Sequence, residues 1–148
     1  MKDFDGVDIL IVEDNILDAE MTMRALKKSV PSNRLYWVRD GVEGLDFVRC
    51  QGAFAERDRR HEIRLVLLDL KMPRLDGIDV LRALKGDPET KKIPIVMMTS
   101  SNAERDITET YDLGVNGFVT KPVQVKEFAA VVGEIGLYWL TINQAPTP

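Results

Sequence analysis

Residues 65–73 read LVLLDLKMP: four aliphatic side chains, the carboxylate Asp69, one more leucine, then Lys71, Met72 and a proline. An apolar run this short and this continuous predicts a strand buried on both faces, the kind found in parallel sheets. Asp69 then stands where the strand leaves the core. Four other runs repeat the pattern, at 8–12 (DILIV), 35–38 (LYWV), 95–98 (IVMM) and 117–119 (GFV). Between the first two, Ala19, Met23, Leu26 and Val30 follow helical spacing, with Asn15 placed to cap the helix. Further helices are predicted over 41–50, 77–85, 104–113 and 125–140. Strands alternating with helices predict an α/β fold, a doubly wound five-stranded parallel sheet with helices on both faces. In such sheets ligands sit at the carboxyl ends of the strands, near the point where strand order reverses.

A chain of 148 residues suits one domain, with a core expected over about 7–140 and a short polar tail at 143–148. With 45% hydrophobic and 30% charged residues, the composition is that of a globular chain and not a disordered one. No apolar run approaches the roughly 20 residues needed to span a bilayer. The start, MKDFDGVDILIVED, lacks a basic region followed by a cleavable apolar one, so the expected location is the cytoplasm. Cys50 is the only cysteine, which excludes an internal disulfide and cysteine-based metal clusters. His61 is the only histidine and lies in a polar run, which argues against histidine-rich metal sites and histidine-centred triads. The net charge of −4 argues against nucleic acid as a partner, and Arg57-Asp58-Arg59-Arg60 reads as a solvated loop.

The strand ends carry the chemistry. The first predicted strand ends in Glu13-Asp14, the third in Asp69, the fourth in Thr99-Ser100 and the fifth in Thr120-Lys121-Pro122. Taken singly, each acid reads equally well as a helix cap or a lysine partner. Taken together, three carboxylates at one rim repel one another and call for a cation, for which a hard ion with oxygen ligands such as Mg²⁺ is the natural choice. Lys121 adds a point charge and Thr99 a hydroxyl, a set suited to a phosphoryl group.

The acid pair Glu13-Asp14, the stretch LLDLKMPRLDG around Asp69, Thr99 after IVMM, and TKP at Lys121 occur in an order and spacing that resembles the response-regulator receiver domain of two-component signalling. That resemblance implies strand order 2-1-3-4-5 and a phosphoacceptor signalling protein, not an enzyme that turns over a substrate. It implies Asp69 as the acceptor of a phosphoryl group from a histidine kinase. Asp14, Asp69 and the backbone carbonyl of Lys71 would hold Mg²⁺ directly, and Glu13 through water. It further implies that Lys121 contacts Asp69 or the phosphoryl oxygens, that Thr99 and Phe118 form the switch, and that the Lys121–Pro122 bond is cis, as proline permits.

Three features depart from the plain pattern. Lys71 is either a solvated lysine or a cation leaning over the site. The connection 50–63, CQGAFAERDRRHEI, exceeds the usual length and is either a surface insertion or a partner-facing segment. In the last helix, Phe128, Val132, Ile135 and Trp139 make one apolar stripe while Val131, Tyr138 and Ile142 make a neighbouring one. The excess arc, with Tyr138 and Trp139, reads either as a wider internal face or as a homodimer surface formed with the fourth helix and fifth strand. Only NQAPTP follows, so signals are expected to leave by partner binding. The loop and the aromatic-ended helix together are similar to the small response regulators paired with bacterial phytochromes.

Rival readings are a Mg²⁺-dependent phosphatase on a similar sheet, an unphosphorylated pseudo-receiver adaptor and a flavodoxin-like cofactor binder. The first typically needs a second acid near its nucleophile, where position 71 is lysine. The second is disfavoured by the presence of Asp14, Asp69, Thr99 and Lys121 together. The third needs a phosphate loop after the first strand, where Glu13-Asp14-Asn15 stands.

Overall fold

Ile9–Val12 and Leu65–Leu68 are buried at every position, and they lie side by side at the centre of the sheet. The computed structural model describes residues 2–146. Its strands are β1 (Ile9–Val12), β2 (Leu35–Val38), β3 (Leu65–Leu68), β4 (Ile95–Thr99) and β5 (Gly117–Thr120), all parallel in the order β2-β1-β3-β4-β5. The helices are α1 (Ile16–Ser29), α2 (Gly41–Arg49), α3 (Gly77–Lys85), α4 (Glu104–Asp112) and α5 (Val125–Leu137). Strand order reverses between β1 and β3, which puts Glu13-Asp14 beside Asp69 at the carboxyl edge.

Successive strand residues point to opposite faces, and the core divides accordingly. Leu10, Val12, Val66 and Leu68 pack with Phe47 of α2 and Val80, Leu81 and Leu84 of α3. Ile9, Ile11, Leu65 and Leu67 pack on the other face with Leu26 of α1 and Phe128 and Val132 of α5. Each central strand is thus clamped from both sides, and its end is held rigidly. Among the described residues no helix is long and apolar enough to cross a membrane.

Several boundaries differ from the sequence expectation. The first strand begins at Ile9 and not at residue 8, where the side chain of Asp8 accepts hydrogen bonds from Asn33 and from the Arg34 amide. The fourth and fifth strands run on to Thr99 and Thr120, which pair with each other. Asn15 caps α1 as expected, accepting from the Asp18 amide at 3.0 Å. The buried face of that helix is Ala19, Thr22, Ala25 and Leu26, with Met23 only half-buried. The last helix ends at Leu137 and widens into a π-turn, Tyr138–Ile142, which Thr141 steadies by donating its hydroxyl to the Leu137 carbonyl.

The connection after α2 is not a solvated loop throughout. Cys50 ends α2 in the left-handed region (φ 54°), and a short 3₁₀ turn at Gly52–Phe54 folds Phe54 back onto Phe4, Tyr36 and Phe47. Arg57 is buried, its guanidinium donating to the carbonyls of Phe47 (2.8 Å) and Val48 (3.1 Å) and lying over the Phe47 ring. The expected solvated run therefore holds one structural arginine, because the carbonyls at the end of α2 have spare acceptor capacity and attract a cation.

No cis peptide bond occurs among the described residues, so the expected cis Lys121–Pro122 bond is trans. The Lys121 amide donates to the Thr99 carbonyl at 2.7 Å, prolonging the β4–β5 ladder past Thr120. The chain therefore enters Pro122 in extended form, with the isomer most X–Pro bonds prefer.

Candidate functional site

At the carboxyl edge of the sheet, Glu13, Asp14 and Asp69 each offer a carboxylate oxygen, all within 4.8 Å of one another. Glu13 is buried, Asp14 exposed and Asp69 between them. Lys121 leans across from the end of β5, and its Nζ donates to Glu13 Oε1 (2.5 Å), Asp18 Oδ2 (2.9 Å) and Asp69 Oδ2 (3.3 Å). Its side chain is 8% exposed, so this is a partly dry cluster in which one cation faces more negative charge than it can neutralise. The donor set is all oxygen and the excess charge is negative, which fits a hard divalent cation.

The electrostatics follow from burial and proximity. Burial pushes the Glu13 carboxyl up to about 8, the hydrogen bond from Lys121 pulls it back down, and the charge of Asp69 reinforces the rise. Burial acts against the charge of Lys121 too, but hydrogen bonds to Glu13 and Asp18 and the charge of Asp69 outweigh it and hold the amine above the ordinary lysine value. The ammonium stays charged, and the buried Glu13 carboxyl takes up a proton more readily than an ordinary carboxylate. Both Glu13 oxygens are engaged within the protein, Oε1 by Lys121 and Oε2 by the Asn15 amide (3.2 Å).

Thr99 ends β4 buried, its hydroxyl accepting a long hydrogen bond (3.4 Å) from the Ser101 amide. Phe118 pairs with Met97 across the β4–β5 ladder and packs, partly buried, on the α2–α3 side of the core. Lys71 is exposed, and its side chain has no hydrogen-bond or ion-pair partner among the described residues, as a solvated lysine would. Tyr138 is 46% exposed beside Leu137 and Ile142, whereas Trp139 packs against the α1–α5 side of the core and holds Tyr138 edge-on at 5.1 Å.

Two contributors were not singled out in the sequence. Asp18, in the first turn of α1, supplies the third carboxylate on Lys121; its signal was an acid one helical turn past the Glu13-Asp14 pair. Trp37 at the end of β2 donates its indole N–H to the Glu13 carbonyl at 2.7 Å, which fixes the chain just before Asp14.

The rim is open. The cavity beneath it, lined by Glu13, Thr22, Asp69 and Met98, holds only about 10 Å³, far below a small-molecule pocket. A larger cavity, about 420 Å³, lies at the opposite end of the strands among Arg57, His61, Arg64 and Pro94, away from the acid cluster.

Residues 9–133 match the response regulator receiver domain. The chain is 37% identical over 140 residues to the probable methanogenesis regulatory protein FilR2 of Methanothrix harundinacea (strain 6Ac), covering 95% of this chain and 88% of that one. It is 36% identical to the response regulator Rcp1 of Synechocystis sp. (strain ATCC 27184 / PCC 6803 / Kazusa), covering 93% and 92%. The Mn²⁺-bound form of Rcp1 superposes with a TM-score of 0.87, covering 94% of this chain and 98% of that one. The phosphorylated cyanobacterial phytochrome response regulator RcpA gives a TM-score of 0.88 at 37% identity, covering 94% and 97%.

Proposed function

The chain belongs to the response regulator receiver domain family, and from that premise we propose how its carboxylate rim serves a two-component relay. It is a two-component response regulator of the receiver type, the class of signalling protein that partners with histidine kinases. In our reading Asp69 is the phosphoacceptor. One of its oxygens attacks the phosphorus of a phosphohistidine, the P–O bond forms as the P–N bond breaks, and the imidazole keeps the electron pair and takes up a proton. The acyl phosphate then hydrolyses, returning the carboxylate and inorganic phosphate.

The observation that carries this reading is the position of Asp69: at the end of a fully buried strand, beside an acid pair and 3.3 Å from the Lys121 ammonium. Lys121 would neutralise charge on the phosphoryl oxygens. Asp14, Asp69 and the backbone carbonyl of Lys71 would hold Mg²⁺ directly, with Glu13 acting through water because its own oxygens already face Lys121 and Asn15. When bound, the ion supplies positive charge that offsets the repulsion between Asp69 and an incoming phosphoryl group. Thr99, turning from the Ser101 amide toward the phosphoryl group, and Phe118, following it, would carry the switch.

The open rim favours a donor presented by another protein over a small phosphate ester, which weighs against the phosphatase alternative. A phytochrome-class histidine kinase is the proposed partner, supported by the likeness to RcpA along most of both chains. The cytoplasm is the proposed location. The exposed Tyr138 suits a homodimer through the α4-β5-α5 side, in which Trp139 backs the surface and does not form it. Sedimentation of Tyr138→Asp against wild type decides that point, and an unchanged monomer in both removes the dimer.

The deciding experiment is acetyl phosphate with Mg²⁺ followed by intact mass, comparing wild type with Asp69→Asn. Wild type gains one phosphoryl group and the variant none. A wild type that gains none ends the receiver reading, and steady turnover of small phosphate esters favours the phosphatase.

A further inference from the structure

Lys121 has three N–H donors, and all three are committed to carboxylates. A phosphoryl group arriving on Asp69 therefore meets an ammonium with no free donor. To bond it, Nζ must let go of one of its present partners. Glu13 is held most firmly, at 2.5 Å and with a side chain 7% exposed. Asp69 makes the longest contact, and it is the group being modified. Asp18 differs from both. Its side chain is the most exposed of the three at 23%, yet its Nζ contact is 0.4 Å shorter than that of Asp69, 2.9 against 3.3 Å. It projects from the first turn of α1, and through it the helix is tied to the one cation of the rim.

We propose that Asp18 is a positioning residue for Lys121, anchoring the ammonium toward α1 and competing with the phosphoryl group for its donors, so that the carboxylate limits how tightly an anion is held at Asp69. The proposal rests on the phosphoacceptor reading given above. Two effects of Asp18 act in the same direction: it occupies a donor, and its charge repels an incoming dianion. The alternative is that Asp18 merely serves the helix, as an acid in the first turn favoured by the helix dipole. Removing its charge would then lower stability and leave anion affinity alone.

The test titrates beryllofluoride, in the presence of Mg²⁺, into wild type, Asp18→Asn and Asp18→Glu, read by tryptophan fluorescence because Trp37 is bonded to the Glu13 carbonyl. Thermal melts and a titration with Mg²⁺ alone accompany it. We expect Asp18→Asn to bind the anion about fivefold tighter, the size of one partly screened charge interaction, without binding Mg²⁺ more tightly. Asp18→Glu, which restores the carboxylate, returns to near the wild-type value. A folded Asp18→Asn protein whose anion affinity is unchanged or weaker overturns the proposal, as does an equal gain in Asp18→Glu. Wild type that binds no beryllofluoride overturns both this proposal and the phosphoacceptor reading; wild type that binds while Asp18→Asn is no different overturns this one alone.

Discussion

Gly77 lies against Asp69 so closely that a β-carbon built on it would stand 2.2 Å from the Asp69 carbonyl oxygen. The Gly77 amide also donates to the Leu70 carbonyl at 2.7 Å, so the start of α3 presses directly on the chain that leaves β3. Gly77→Ala cannot be absorbed by turning a side chain, because the obstacle is backbone. We expect it to destabilise the protein by about 2 kcal/mol through overpacking and to weaken divalent-cation binding by moving Asp69. Gly133→Ala, in α5, meets only the Ser29 β-carbon at an ordinary 3.7 Å and should stabilise by about 0.5–1 kcal/mol. Urea unfolding of both variants checks the contrast, and equal effects would remove it.

Removing Lys121 leaves Glu13, Asp18 and Asp69 facing one another in a mostly buried cluster. Lys121→Met should therefore destabilise by about 3 kcal/mol in the absence of divalent cations, the usual size for breaking a buried pair. Added Mg²⁺ should recover more stability in the variant than in wild type. Thermal melts with and without the ion measure this, and equal stabilisation of both proteins contradicts it.

Lys85 gives a pH signature far from the rim. Its Nζ donates to the carbonyls of Lys91 and Ile93 and to Asn116 Oδ1, each at 2.9 Å, and burial lowers the amine to about 8. Between pH 8 and the ordinary lysine value the folded state has released a proton that the unfolded chain keeps. The Lys85 contribution to stability therefore rises with pH across that window and is lost as pH falls through 8. Lys85→Met should show a flatter or more negative stability slope there than wild type. A ¹³Cε titration with its midpoint near 10.5 would rule this out.

Arg57 offers its guanidinium to the end of α2 while its stem fills space beside Phe47. Arg57→Met keeps most of the stem and removes the donors, leaving the Val48 carbonyl to find water and the Phe47 carbonyl with the Cys50 amide alone, at 3.3 Å. A loss of about 2 kcal/mol is expected, with faster amide exchange over residues 51–63 and unaltered phosphoryl uptake. Slower uptake at unchanged stability would reverse the assignment.

The central strands were legible because burial on both faces leaves a continuous apolar run, and Asp69 was legible because it interrupts one. Asn15 could be placed because capping chemistry is local. Asp18 escaped because its role depends on the distance between α1 and β5, which no local period encodes. Arg57 escaped for a related reason: a charged run looks the same whether one member turns inward or none does. The close fit of Gly77 on Asp69 depends on how β3 and α3 meet. The end of α5 was read too long because apolar spacing continues through Tyr138–Ile142 although the hydrogen bonding widens there.

The three contacts of Lys121 join residues 108, 103 and 52 positions apart along the chain. Contacts so distant in sequence form only after the intervening chain has been gathered in, and β5, as the outermost strand beyond β4, must dock before they exist. Asp69 and Glu13 follow the paired strands β3 and β1, whereas the ammonium comes from the far edge of the sheet. The counter-charge of the rim is thus carried by the edge strand: displacing β5 would leave Glu13, Asp18 and Asp69 facing one another without the Lys121 ammonium.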